Sequence, residues 1–152
     1  MNDMKKNFVA RQSIRINAPL AKVWDALVNP KLIKQYMFGT NAVSDWREGS
    51  PIIFKGEWQG RTYEDKGVIL RLKPEQVIQY THFSPLSGLP DIPENYHTVT
   101  IELAREKNGV TVSLSQDNNP TDEAREHSEK NWGMMLEGLL RLLERQGYND
   151  HT

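Results

Sequence analysis

The sequence predicts an α+β domain: a curved antiparallel sheet of about seven strands wrapped around one long C-terminal helix, with two short helices after the first strand. Three observations carry this prediction. Between Thr40 and Gln116 the apolar pattern repeats every two residues in successive stretches joined by short turns. Such joints leave no room for the long crossovers that parallel neighbours need. From about Thr121 to Gln146 the apolar steps change to three and four residues, the spacing of one helical face. Ahead of both lie one strand-like stretch and two helix-like ones, so the helices gather on one side of the sheet.

Phe8 to Ile16 reads as the first strand: Phe8, Ala10, Ile14 and Ile16 share one parity, Arg11, Ser13 and Arg15 the other. Pro19 opens a helix with Leu20, Val23, Trp24 and Leu27 on one face. Asn29-Pro30 ends it and caps a second short helix, which turns Ile33, Tyr36 and Met37 inward. Thr40–Trp46 and Ile52–Trp58 follow as a pair turning at Glu48-Gly49. Thr62–Leu72 comes after a turn at Gln59-Gly60, and Val77–Phe83 after a corner at Lys73-Pro74-Glu75. Tyr96–Ala104 and Val110–Gln116 form a hairpin around Asn108-Gly109, the strongest short turn signal in the chain. Asn119-Pro120-Thr121-Asp122-Glu123 starts the long helix with a capping side chain, a first-turn proline and acids at the positive end of the dipole. Gly147 is read as its stop. Within that helix Met135 to Leu143 is apolar, whereas Ser128 and Asn131 make the buried side of its first half polar. Such a helix closes a core with one half and borders a cavity with the other.

Ser84–Asn95 stands apart as a long connection with Pro85, Gly88, Pro90 and Pro93 and three apolar residues, Leu86, Leu89 and Ile92. It reads either as a surface loop packed on itself or as a lid over a pocket mouth.

The 152 residues, with 38% hydrophobic and 26% charged, suit one soluble domain over 1–152 with an ordered core of about 8–146. The net charge of −1, with both signs scattered, argues against nucleic-acid binding through bulk charge. No run is apolar enough to insert in a membrane, and Met1–Asn7 lacks a signal-peptide core, so a cytoplasmic location is expected. The absence of cysteine excludes disulfides, thiolate metal sites and Cys nucleophiles. His82, His97, His127 and His151 show no metal-ligand spacing, and neither a nucleophile elbow nor a phosphate loop occurs. No metal and no cofactor are expected.

Strand parity supplies the remaining candidates. If Val99, Ile101 and Leu103 face inward, so does His97; Ile78 carries Tyr80 and His82 with it, and Val112 and Leu114 carry Gln116. Ile52 and Phe54 carry Trp58. With Ser128, Asn131 and Trp132 from the helix, these residues describe an apolar pocket with a few convergent polar groups. The same pattern is compatible with satisfied core or strand-end polar groups, and Trp24 and Trp132 at helical spacing with plain core packing.

Several segments, taken in order, resemble the START-like (Bet v 1-like, SRPBCC) helix-grip superfamily, and more closely its branch related to the activator of Hsp90 ATPase. They are Ile16-Asn17-Ala18-Pro19 with Val23-Trp24-Asp25-Ala26-Leu27, then Gly67-Val68-Ile69-Leu70 before Pro74-Glu75. Gly109-Val110-Thr111-Val112-Ser113-Leu114 and Asn131-Trp132-Gly133-Met134-Met135-Leu136-Glu137-Gly138-Leu139 complete the set. The resemblance spans about Phe8 to Arg145 and implies a cavity between the sheet and the long helix. It implies no single activity: members bind lipids and hormones, cyclise polyketides or stimulate a chaperone. The expectation set first is a protein that binds a small apolar or amphipathic ligand, as a monomer or as a homodimer through an edge strand. The alternatives are a chaperone-associated interaction domain using the outer sheet face, and a cyclase- or dehydratase-like enzyme. The enzyme would use His82 or His97 as acid or base and Tyr80 as donor, with no carboxylate partner in sight. The eukaryotic Hsp90 activator has a further N-terminal domain for which this chain leaves no room, which ranks the chaperone role below ligand binding.

Overall fold

The computed structural model describes residues 8–149. Met1–Asn7, with the expected lack of a signal segment, and His151 lie outside the described residues. Strand β1 (Phe8–Ile16) leads through Pro19 into α1 (Leu20–Val28) and α2 (Pro30–Tyr36). Then come β2 (Asn41–Ser44), β3 (Pro51–Trp58), β4 (Arg61–Lys73) and β5 (Val77–His82). Two short 3-10 turns, Pro85–Ser87 and Pro93–Asn95, precede β6 (His97–Glu106), β7 (Gly109–Asn119) and the long α3 (Asp122–Asn149). The sheet order is β1-β7-β6-β5-β4-β3-β2, antiparallel throughout, so the chain returns its first strand to lie beside its last. This is the expected α+β helix-grip architecture.

The predicted parities hold. Ile16, Ile52, Ile69, Ile78, Val99 and Val112 turn fully into the core, where Leu136, Leu139 and Leu143 of α3 meet them. The Leu and Met half of α3 therefore closes the core. Asn29 caps α2 by accepting from the backbone N–H of Lys31, 3.1 Å away. Tyr36 donates from its buried hydroxyl to the Ala26 carbonyl at 2.7 Å and so ties α2 to α1; burial raises its pKa.

The structure corrects several local expectations. The tight turn after β6 uses Lys107-Asn108, not Asn108-Gly109, because Glu106 already pairs with Gly109. Asn108 itself takes the left-handed conformation, φ 67°. Gly109 is needed for closeness instead: a Cβ there would stand 2.7 Å from the Ile16 carbonyl oxygen. Thr121, not Asn119, caps α3, its hydroxyl accepting from the Ala124 N–H at 3.0 Å, so Pro120 precedes the cap. Asn119 is the last residue of β7 and is 2% exposed. Its amide donates to the carbonyls of Phe8 (2.9 Å) and Gln116 (3.1 Å), and its oxygen accepts from Ser128 (3.1 Å). Gly147 does not stop α3, which continues to Asn149. An interior glycine costs a helix roughly 1 kcal/mol but, unlike proline, blocks no hydrogen bond.

The polar first half of α3 docks on β1. The Glu129 carboxylate accepts from the backbone N–H of Arg11 at 3.0 Å and pairs with Arg125 at 2.7 Å, and Gln12 donates to the Glu129 carbonyl at 2.8 Å. The Arg11 N–H first, and then Arg125, hold the Glu129 pKa below its ordinary value. Among the described residues, no helix is long and apolar enough to cross a membrane.

Candidate functional site

Between α3 and strands β3 to β5 lies a cavity of about 450 Å³ that opens to solvent at one side. At roughly 30 Å³ per liquid water this is room for about fifteen waters, within the range of small-molecule sites. Inward residues of three neighbouring strands build its sheet wall: Phe54 on β3, Tyr63 and Asp65 on β4, Tyr80 and His82 on β5. Asn131 and Trp132 of α3 face them, and Met37, Phe38 and Thr40 close the side made by the α2–β2 connection. The walls are mainly aromatic. Phe54 lies 5.5 Å from Tyr80 and 6.0 Å from His82, centroid to centroid.

Local backbone choices bring these groups together. Register pairs Phe54 with Asp65, and β4 runs so close to β5 at Gly67 that a Cβ would overlap the Thr81 carbonyl oxygen at 1.6 Å. Only glycine permits this approach, which sets Asp65 beside His82. Likewise Gly56 makes room for the Tyr63 ring, whose hydroxyl shares a 2.5 Å hydrogen bond with Thr40. Phe38 adopts φ 56°, an uncommon conformation for a bulky side chain, and stands exposed at the mouth.

Asp65 and His82 form a polar pair in the cavity wall, and Tyr80 stands two residues before His82 on the same face of β5. His82 Nε2 is 3.0 Å from Asp65 Oδ2. Asp65 Oδ1 is buried without a hydrogen-bond partner among the described residues. Tyr80 is 5% exposed, and its hydroxyl has no hydrogen-bond partner among the described residues. Burial raises its pKa, which keeps it a proton donor. The sequence reading found no carboxylate partner for a histidine; the structure supplies Asp65. It shares parity with the buried Gly67 and Ile69, and that alternation along β4 was the available signal.

The other expected site residues divide. Trp58 is 60% exposed and forms part of the rim. Trp132 borders the cavity and donates from Nε1 to the side-chain oxygen of the buried Gln116. Gln116 and Ser128 line a smaller hollow of about 200 Å³ that shares Met37, Phe38, Asn131 and Trp132 with the main cavity. His97 is not among the cavity's lining residues: its ring sits 6.4 Å from that of His82, and Nδ1 lies 2.8 Å from the Asp117 carbonyl oxygen. Parity alone had missed Met37, Phe38, Thr40, Tyr63 and Asp65.

Of the Ser84–Asn95 connection only Ser84 and Leu86 reach the cavity. Asp91 receives Lys66 Nζ at 2.5 Å and the Tyr96 hydroxyl at 2.6 Å, and Asn118 donates to the carbonyls of Glu94 and Tyr96. The segment is thus fastened at its far end, with its near end at the mouth. Lys66 first, and then Tyr96, hold the Asp91 pKa below its ordinary value.

Comparison with known proteins gives a consistent result. The family model described as Activator of Hsp90 ATPase homolog 1-like protein matches residues 17–144. No curated protein matches the chain. Among solved structures, the chain is similar to the solution structure of ChR145 from Cytophaga hutchinsonii. The two share 57% identity over 93% of this chain and 97% of that one, with a TM-score of 0.81. It is similar in fold alone to CalU16 from Micromonospora echinospora, with 21% identity, 90% and 82% coverage and a TM-score of 0.66. The same holds for the Aha1 dimer from Colwellia psychrerythraea, with 20% identity, 90% and 96% coverage and a TM-score of 0.70.

Proposed function

The chain belongs to the Activator of Hsp90 ATPase homolog 1-like family, and from that premise we propose that it binds a small apolar or amphipathic molecule between sheet and C-terminal helix. One observation carries this reading: a cavity of about 450 Å³ with mainly aromatic walls, lined also by Asp65, one of whose buried carboxylate oxygens has no hydrogen-bond partner among the described residues. The cavity opens past the exposed Phe38 and Trp58, so a small molecule can enter, and apolar walls with a few polar groups are what small-molecule sites present. Thermal unfolding against a library of apolar and aromatic compounds, paired with native mass spectrometry, tests it. A ligand at a hundredfold excess over Kd adds about 2.7 kcal/mol and shifts Tm by several degrees. A library that yields no shift and no bound mass contradicts the reading.

Two further readings each have an observation behind them. Val43, Val68 and Leu70 stand exposed on the outer face of the sheet, away from the cavity, where a chaperone partner or a second copy of the chain would dock. Val68→Lys and Leu70→Lys then abolish capture by an Hsp90-type chaperone, or dimerisation in light scattering, whereas Tyr80→Phe does neither. The His82–Asp65 pair supports acid–base chemistry on a bound molecule. On any substrate found, unchanged turnover by His82→Ala removes that reading.

A further inference from the structure

The cavity's polar groups also indicate what kind of molecule it accepts. A carboxylate has no proton to donate, so the 3.0 Å contact between Asp65 Oδ2 and His82 Nε2 makes Nε2 the donor. In the neutral ring Nδ1 is then the acceptor, and among the described residues it has no hydrogen-bond partner. Asp65 Oδ1 is a second acceptor without a donor. On the same face of β5, two residues before His82, stands an unused donor, the Tyr80 hydroxyl, on a side chain that is 5% exposed; Ser84, Trp58 and Asn131 carry further donors around the lining. Among the described lining residues no lysine or arginine occurs, and Asp65 is the one carboxylate.

We propose that Asp65, His82 and Tyr80 form a head-group site that receives the hydroxyl of a neutral apolar ligand and turns carboxylates away. This rests on the reading that the cavity binds a small molecule. A hydroxyl is the simplest group that gives one hydrogen bond and takes another, so it satisfies both the histidine and the tyrosine. A carboxylate only accepts; it meets no cation and is repelled by Asp65. A protonated amine is attracted by Asp65 but offers the Tyr80 hydroxyl no lone pair, and it gives up a strongly held hydration shell on entering an aromatic cavity. The aromatic walls formed by Phe54 and Trp132 take the apolar body.

The test uses four probes with the same body: 2-naphthalenemethanol, 2-methylnaphthalene, 2-naphthoate and 2-naphthylmethylamine, titrated into the full chain and followed by calorimetry. The alcohol is expected to bind about tenfold tighter than the hydrocarbon, the return on one net hydrogen bond, and the carboxylate weakest of all. Tyr80→Phe and His82→Phe are expected to bring the ratio of alcohol to hydrocarbon affinity towards one. Tyr80→Phe keeps the test decisive if His82→Phe fails to fold, because it deletes a hydroxyl bonded to nothing in the protein. Equal binding of alcohol and hydrocarbon, or tighter binding of the amine or the carboxylate, overturns the head-group site and leaves the cavity reading standing. Binding by none of the four overturns both.

Discussion

Tyr80 and Asn119 show how differently two buried polar residues act. Asn119 uses its whole amide to join the start of β1, the end of β7 and Ser128 of α3. Asn119→Ala leaves buried partners unpaired and is expected to cost about 1–3 kcal/mol in denaturant unfolding. Tyr80 holds nothing in place through its oxygen, so Tyr80→Phe is expected to leave stability unchanged or slightly raised in the same measurement. A large loss there would mean that the hydroxyl has a structural partner. Glu129 adds a pH dependence. Its pKa is lowered in the folded state, so its contribution is fully present above the unfolded value of about 4.3 and is lost as pH falls through the folded value. Acid titration of stability is expected to be shallower below about pH 4.3 in Glu129→Gln than in the parent. The side chain is partly exposed, so water screens the effect and keeps it small.

The elements divide the work between holding the fold and shaping the cavity. The second half of α3 is structural: Leu139 is fully buried, and Leu139→Ala is expected to cost about 2–5 kcal/mol. The first half was expected to border the cavity because Ser128 and Asn131 are polar. In the structure it is fastened to β1 through Glu129 and Gln12, and only Ser128 and Asn131 reach the hollows. Strand β4 is where a single Cβ matters most for the site. Gly67→Ala forces β4 away from β5 and is expected to cost about 1–3 kcal/mol, as overpacking does. The same change pulls Asp65 from His82, visible as a changed His82 imidazole signal in NMR. An unaltered signal would show that Gly67 does not set their spacing.

At the scale of the molecule, period-two and helical patterns were enough to read the architecture, because each β-strand buries one face and α3 buries one stripe. Turn details were less legible. Why Gly109 is a glycine outside the turn depends on the Ile16 carbonyl, which is distant in sequence and adjacent only once β1 pairs with β7. The cavity was half legible for the same reason. Parity placed Phe54, Tyr80 and His82 on the inner face, but the cavity also needs Asn131 and Trp132 of α3 and the α2–β2 connection beside them, and no local pattern encodes that meeting. Asp65 sits in a polar stretch of β4, where its parity with Ile69 is the one local mark of an inward position. His97 followed the same parity and was claimed by the Asp117 carbonyl at the strand end.

Backbone amide NMR during titration with 2-naphthalenemethanol tests most directly whether the space between sheet and helix is a binding site. The predicted result is saturable shifts centred on Phe54, Asp65, Tyr80, His82 and Trp132, with the outer-face residues Val43, Val68 and Leu70 unmoved. Shifts confined to that outer face, or none at saturation, would contradict it.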